Sequence, residues 1–171
     1  EIDDVENAMN EVVIFTDGSH PERNETGGVP MIGGVMINGW GKEPKYFSAE
    51  VTEEMKERWI HRENQIVMVE LLAAVVAVAT FKEEIRGKKV ILLVDSEPAE
   101  GALVKGYSTR RDLTLLTGKF WDIVAEADCL MYIDRVSTDA NPADLPSRRE
   151  RLEEIKNLGW EPVRARTEEV I

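Results

Sequence analysis

The chain has 171 residues, 43% apolar and 32% charged, and a formal net charge of −12. At roughly 150 residues per domain this is one domain with chain enough for an ordinary core, and it is too apolar for an acidic disordered tail. Acidity of this degree argues against tight nonspecific binding to a phosphate backbone or an anionic membrane.

The single cysteine, Cys129, excludes an internal disulfide and a cysteine-based zinc cluster. Its neighbours in Ala127-Asp128-Cys129-Leu130-Met131 read as a setting for a buried small residue rather than a reactive thiol. The longest apolar run, Leu71 to Ala79, is too short to span a bilayer, and the expectation is of no signal peptide and no basic targeting arm. A chain that opens on Glu1 rather than Met is expected to be excised from a longer polypeptide. The expected setting is intracellular, cytoplasmic or nuclear, with no membrane partner.

Residues 1–10 are acidic and aperiodic, an expected lead-in. Val12-Val13-Ile14-Phe15 is a short β-branched run of buried-strand type that ends at Thr16-Asp17-Gly18-Ser19. A loop rich in Pro and Gly covers 20–30. Met31–Asn38 and Tyr46–Val51 read as two further strands, and their short link favours an antiparallel meander. Residues 52–65 are charged and loosely helical.

Residues 66–82 are too long for a strand, rich in Ala and Leu, and apolar on nearly every face, which predicts a helix buried on several sides. Val90–Val94 is the continuous apolar run of a strand covered on both faces. Helices are predicted over 96–105 and 110–127, the latter with a core face of Leu113, Leu116, Phe120, Ile123, Val124 and Ala127. Leu130–Val136 reads as a strand, Pro142 opens a helical turn, and a polar helix covers Arg148–Leu158. The predicted domain therefore spans 11–158 and leaves 159–171 as a tail. The order β-β-β-α-β-α-β-α requires parallel crossovers after the meander, giving an α/β fold with a mixed five-stranded sheet and helices on both faces.

Three carboxylates stand where packing alone would not place them. Asp17 and Asp95 each follow an apolar strand, and carboxyl ends of parallel strands are where open α/β sheets hold ligands. Glu70 is the only charged residue between Ile66 and Thr80. An unpaired carboxylate there costs several kcal/mol, so it needs a basic partner or a metal ion. Two carboxylates about 4 Å apart repel by ~4 kcal/mol at an effective dielectric of 20, so a cluster calls for a cation or raised pKa values. With two histidines, His20 and His61, at no metal-ligand spacing, oxygen-only ligation favours Mg²⁺ or Mn²⁺ over Zn²⁺.

These segments together resemble the ribonuclease H family. Thr16-Asp17-Gly18-Ser19 is similar to its first-strand motif, Glu70-Leu71-Leu72-Ala73-Ala74-Val75-Val76-Ala77 to its first long helix, and Val94-Asp95-Ser96 to its fourth-strand end. Asn141-Pro142-Ala143-Asp144-Leu145-Pro146-Ser147-Arg148 resembles the closing motif of retroelement reverse transcriptases, and Ile66 before Glu70 favours the same branch. Each motif alone is weak; their joint order over residues 11–150 is specific.

The resemblance implies an endonuclease that cuts the RNA strand of RNA–DNA hybrids as part of a retrotransposon-type reverse transcriptase polyprotein. Asp17, Glu70, Asp95 and Asp144 would be the catalytic, metal-binding carboxylates for two Mg²⁺ ions, with Mn²⁺ an alternative. Asp17 would bridge the ions, Glu70 would hold one and orient the ribose, and Asp95 and Asp144 would complete the coordination. The resemblance places substrate contacts at Gly18, Ser19, Asn64, Gln65, Ser96, Asn141 and Arg148. Lys105, Arg110, Arg111 and Lys119 are the nearest counterparts of the family's basic handle, though a solvated helix face explains them equally well. Arg148, Arg149 and Arg151 either touch phosphate or pair with Glu150, Glu153 and Glu154 along a helix.

The chain departs from the family in lacking a His between Asp134 and Ala140, where members often carry one; His20 is the candidate substitute. A proofreading-type exonuclease would carry Asp-x-Glu in the first strand, where this chain has Asp17-Gly18-Ser19. A catalytically weak domain serving as a structural connection within a reverse transcriptase is the remaining alternative.

Overall fold

A computed structural model of the chain describes residues 11–21, 28–39, 41–62 and 65–171. The strands are β1 (Glu11–Ser19), β2 (Met31–Asn38), β3 (Lys45–Glu50), β4 (Lys89–Val94), β5 (Leu130–Arg135) and β6 (Glu161–Pro162). The helices are α1 (Glu53–Lys56), α2 (Ile66–Thr80), α3 (Lys82–Ile85), α4 (Glu97–Lys105), α5 (Arg111–Ala127) and α6 (Leu152–Lys156), with short 3₁₀ turns near the C-terminal end.

The sheet order is β5-β4-β1-β2-β3-β6. β1, β2 and β3 form the expected antiparallel meander. β4 joins β1 in parallel and β5 joins β4 in parallel, as helical crossovers require.

One face of the sheet carries the core. Val12, Ile14 and Thr16 of β1 alternate toward it, in register with Val90 and Leu92 of β4 and with Gly34 and Met36 of β2. α2 packs on β1 and β2 and is flanked by α4 and α5. Its residues from Leu71 to Ala79 are all buried, which is why it carries no polar stripe. Leu71, Leu72 and Phe120 are fully enclosed, each adding about 1.5–3 kcal/mol of burial free energy. The opposite face of β1 and β2 meets the 3₁₀ turn Pro142–Asp144 and the residues after it.

Three expectations differ from the structure at the C-terminal end. The sheet has six strands rather than five, because Glu161–Pro162 pairs in parallel with Lys45–Tyr46. The segment 159–171, expected to trail as a tail, is docked: Val163, Ala165 and Val170 pack on the core, and the Arg166 N–H donates to Thr80 Oγ1 at 3.0 Å. A two-residue polar strand has no periodicity to read, and these apolar residues are spaced irregularly among charges. The expected helix over 148–158 is shorter, a 3₁₀ turn at Arg149–Arg151 leading into α6.

Candidate metal centre

The parallel pairing of β1 with β4, with Phe15 opposite Leu93, carries both strands to a common edge of the sheet. Asp17 and Asp95 lie two residues beyond that pair. α2 begins above the same edge and presents Glu70 in its first turns. Carboxylate oxygens of Asp17, Glu70 and Asp95 all lie within 4.8 Å of one another.

Glycines make this approach feasible. A Cβ at Gly18 would stand 2.8 Å from Val69 Cγ1 and 3.1 Å from the Glu70 nitrogen, so β1 runs directly against the start of α2. On the other face, a Cβ at Gly33 would meet the Ser147 nitrogen at 2.6 Å and the Pro146 carbonyl carbon at 2.7 Å. Gly33 is paired with Asp17, so the turn that closes on Gly33 also reaches Asp17.

Ser147 is fully buried, and its hydroxyl donates to Asp17 Oδ2 at 2.8 Å. Ser19 Oγ donates to the Ser147 carbonyl at 2.5 Å, and Asn141 Nδ2 donates to the Thr16 carbonyl at 3.0 Å. The segment 141–147 is therefore fastened to β1 on both sides of Asp17. Ser147 was not among the site residues read from the sequence; the available signal was its place in the closing motif, three residues after Asp144.

Burial, then the charge of Asp95, pushes Asp17 up to about 7; the Ser147 bond opposes this, and Asp144 and Glu70 add to it. Burial likewise pushes Glu70 up to about 7, against a hydrogen bond from the Ser96 hydroxyl and with a further push from Asp95. Asp144 behaves differently. Burial would raise it, but hydrogen bonds from Arg148 and Arg151 and their charges hold it below the usual carboxylate range. Arg148 Nε donates to Asp144 Oδ1 at 2.7 Å and Arg151 Nη1 to Oδ2 at 2.5 Å. Asp144 stands near Asp17 without joining the close group of three.

The donor set fits a hard divalent cation. Three buried or half-buried carboxylates contribute oxygen only, no basic side chain is hydrogen-bonded to Asp17 or Glu70 among the described residues, and their mutual repulsion is what a cation would relieve.

The residues expected to contact substrate have mostly internal roles here. Gly18 serves the β1–α2 approach, and Ser19 and Asn141 tie the closing segment to β1. Ser96 Oγ accepts from the Ala99 N–H at 3.3 Å as the N-cap of α4 and hydrogen-bonds Glu70. Gln65 Nε2 donates to the Ile60 carbonyl at 3.0 Å and its oxygen accepts from Arg62. Arg148 is paired with Asp144. Asn64 lies outside the described residues. Lys105, Arg110 and Arg111 are exposed around the α4–α5 connection, and Lys119 lies 3.9 Å from Glu169. His20 is exposed, 3.3 Å from the neighbouring Pro21 carbonyl.

Solved structures were compared with this architecture. The chain is similar to ribonuclease H1 from the halophilic archaeon Halobacterium salinarum NRC-1, with a TM-score of 0.55 and 21% identity over 84% of this chain and 98% of that one. It is similar to LC11-RNase H1 in complex with an RNA/DNA hybrid, with a TM-score of 0.55 and 17% identity over 85% of this chain and 99% of the other. The chain has the ribonuclease H fold. A foamy viral protease-reverse transcriptase in complex with dsDNA is a further neighbour, with a TM-score of 0.51 and 12% identity over 84% of this chain and 91% of that chain. No protein-family model and no curated protein sequence matches the chain. Within the ribonuclease H-like fold of this chain, Asp17, Glu70 and Asp95 occupy the carboxyl edge of the central strands. No helix among the described residues is long and apolar enough to cross a membrane.

Proposed function

We propose that this chain is a divalent-metal-dependent endonuclease that hydrolyses the RNA strand of RNA–DNA hybrids, as the ribonuclease H domain of a retroelement reverse transcriptase polyprotein. The observation that carries this reading is the convergence of Asp17, Glu70 and Asp95 within 4.8 Å at one edge of a ribonuclease H fold. A structural connection would have no use for three mutually repelling acids drawn from two strands and a helix. The neighbour bound to an RNA/DNA hybrid supports the substrate class. The reverse transcriptase context is supported by the foamy viral neighbour and by the closing motif Asn141 to Arg148.

Asp17, Glu70 and Asp95 would hold Mg²⁺ or Mn²⁺, with Asp144 as the further ligand. Bound there, divalent ions supply an activated water and neutralise charge on the departing oxygen. Ser147 fixes one Asp17 oxygen by hydrogen bonding. Ser96 orients Glu70 in the same way. The ribose 2′-hydroxyl is the group by which such a site separates RNA from DNA.

The test is cleavage of a labelled RNA–DNA hybrid with Mg²⁺, Mn²⁺ or EDTA, with duplex RNA and single-stranded RNA as controls. Hybrid alone is expected to be cut, and only with a divalent ion. Asp95→Asn is expected to reduce cleavage to the EDTA level with an unchanged circular dichroism spectrum. Undiminished cleavage by that variant would overturn the assignment.

A further inference from the structure

Arg148 and Arg151 engage opposite oxygens of Asp144, at 2.7 and 2.5 Å. Both contacts are charge-assisted hydrogen bonds, and together they occupy the carboxylate that lies beside, but not within, the close group of three. A cation drawn to Asp144 meets a guanidinium charge at each oxygen, and their repulsion favours opening at least one of these bonds. Their other acidic neighbours are exposed: Glu154 lies 3.0 Å from Arg151 and Glu150 lies 4.0 Å from Arg148. Such exposed pairs contribute little, about 0–1 kcal/mol each.

Both guanidinium groups line an open cleft of about 540 Å³, whose other walls include Thr138, Asn141 and Asp144. Asn141 and Asp144 belong to the segment fastened to β1 around Asp17, so this cleft borders the carboxylate cluster. A guanidinium released from a carboxylate here faces open space beside the place where a phosphodiester must approach. Phosphate offers the same paired oxygen geometry that a carboxylate offers to arginine.

We propose that Arg148 and Arg151 form a two-position phosphate clamp. They close on Asp144 when the ion is absent, and they transfer to a backbone phosphate of the nucleic acid when a divalent ion takes Asp144. This rests on the metal-dependent nuclease reading and adds a regulated contact to it. Ion and hybrid then promote each other's binding, because the ion's charge competes with both guanidinium groups at one carboxylate and coupling between sites is reciprocal.

The test is the affinity of a fluorescent RNA–DNA hybrid, read by anisotropy in EDTA and in Ca²⁺. The wild-type chain is expected to bind roughly ten- to a hundredfold tighter in Ca²⁺, the range for charged hydrogen bonds of about 1.5–3 kcal/mol. R148Q/R151Q is expected to lose most of that gain, its affinity falling further below wild type in Ca²⁺ than in EDTA, where the arginines are engaged with Asp144. D144N frees them without an ion and is expected to tighten binding in EDTA. That gain should vanish in D144N/R148Q/R151Q.

Equal weakening of R148Q/R151Q in EDTA and Ca²⁺ overturns the clamp. So does a D144N gain that persists in the triple variant, which marks a general charge effect. If Mg²⁺ supports wild-type hybrid cleavage while the variants behave additively, the clamp fails and the nuclease reading stands. A wild-type chain that neither binds nor cleaves hybrid overturns both.

Discussion

A methyl group at position 18 would stand 2.8 Å from Val69 Cγ1 and 3.0 Å from the Val69 carbonyl carbon. The second neighbour is backbone, which cannot swing aside as a side chain would. Gly18→Ala is therefore expected to wedge β1 away from α2 and separate Asp17 from Glu70. Overpacking of this kind costs about 1–3 kcal/mol. Urea unfolding should show that loss, and a Mn²⁺ titration should show weaker binding by the same variant. A Gly18→Ala chain as stable as wild type would contradict the close approach. Asp17, Glu70 and Asp95 were legible as outliers, because each acid stands beside or within an apolar run. Ser147 was not, since a buried serine and an exposed one look alike in a sequence. Only the turn closing on Gly33 shows that its hydroxyl reaches Asp17.

At the scale of elements, Ile60 and Arg62 of the charged stretch before α2 are tied to α5 through Asp112, a residue the sequence reading passed over. Its side chain is 1% exposed and accepts hydrogen bonds from the Ile60 N–H at 3.0 Å, Arg62 Nη2 at 2.9 Å and the Leu113 N–H at 3.0 Å. Burial alone would raise its pKa, but these bonds and the Arg62 charge hold it below the ordinary value. The folded state thus releases the Asp112 proton more readily than the unfolded state does. Its stabilisation is present above the ordinary carboxylate pKa and disappears as pH falls through the lower folded value. Asp112→Ala strands Arg62 beside the core and is expected to cost about 3–5 kcal/mol near neutral pH, with a smaller penalty in acid. Urea midpoints against pH for wild type and variant would show this convergence; a penalty that stays constant into acid would contradict it. The strand and helix order was legible from apolar runs and breaks. The two-residue β6 and the docked 159–171 segment were not, because their order comes from pairing with β3 and from a hydrogen bond to Thr80.

For the whole molecule, the net charge of −12 limits affinity for a polyanion without excluding one as substrate. Part of that charge is concentrated at the sheet edge, where burial and mutual repulsion raise Asp17 and Glu70 to about 7 from ordinary values of 3.8 and 4.5. Between about pH 4 and 7 these two groups hold more protons in the ion-free folded chain than in the unfolded one, and their contribution to stability falls as pH rises through that window. In EDTA the melting temperature is expected to decline from pH 5 to pH 8, and Asp17→Asn should flatten the decline. Mg²⁺ should raise the wild-type melting temperature at pH 8, through a stabilisation of about 2.7 kcal/mol at a hundred times its dissociation constant. An ion-free chain whose melting temperature is flat over this range, with no response to Mg²⁺, would count against the cluster as described.

By itself the sequence determined the fold class, the antiparallel meander followed by parallel crossovers, and three acids misplaced for packing, because apolar periodicity and an isolated charge are local signals. The tertiary structure alone decided that those acids meet, that Ser147 and Ser96 orient two of them, and that Asp144 is engaged by Arg148 and Arg151. The first two of those facts depend on contacts between residues as far as 130 positions apart in the chain. Local pattern carries no information about such contacts until the sheet register and the glycine approaches have set the distances.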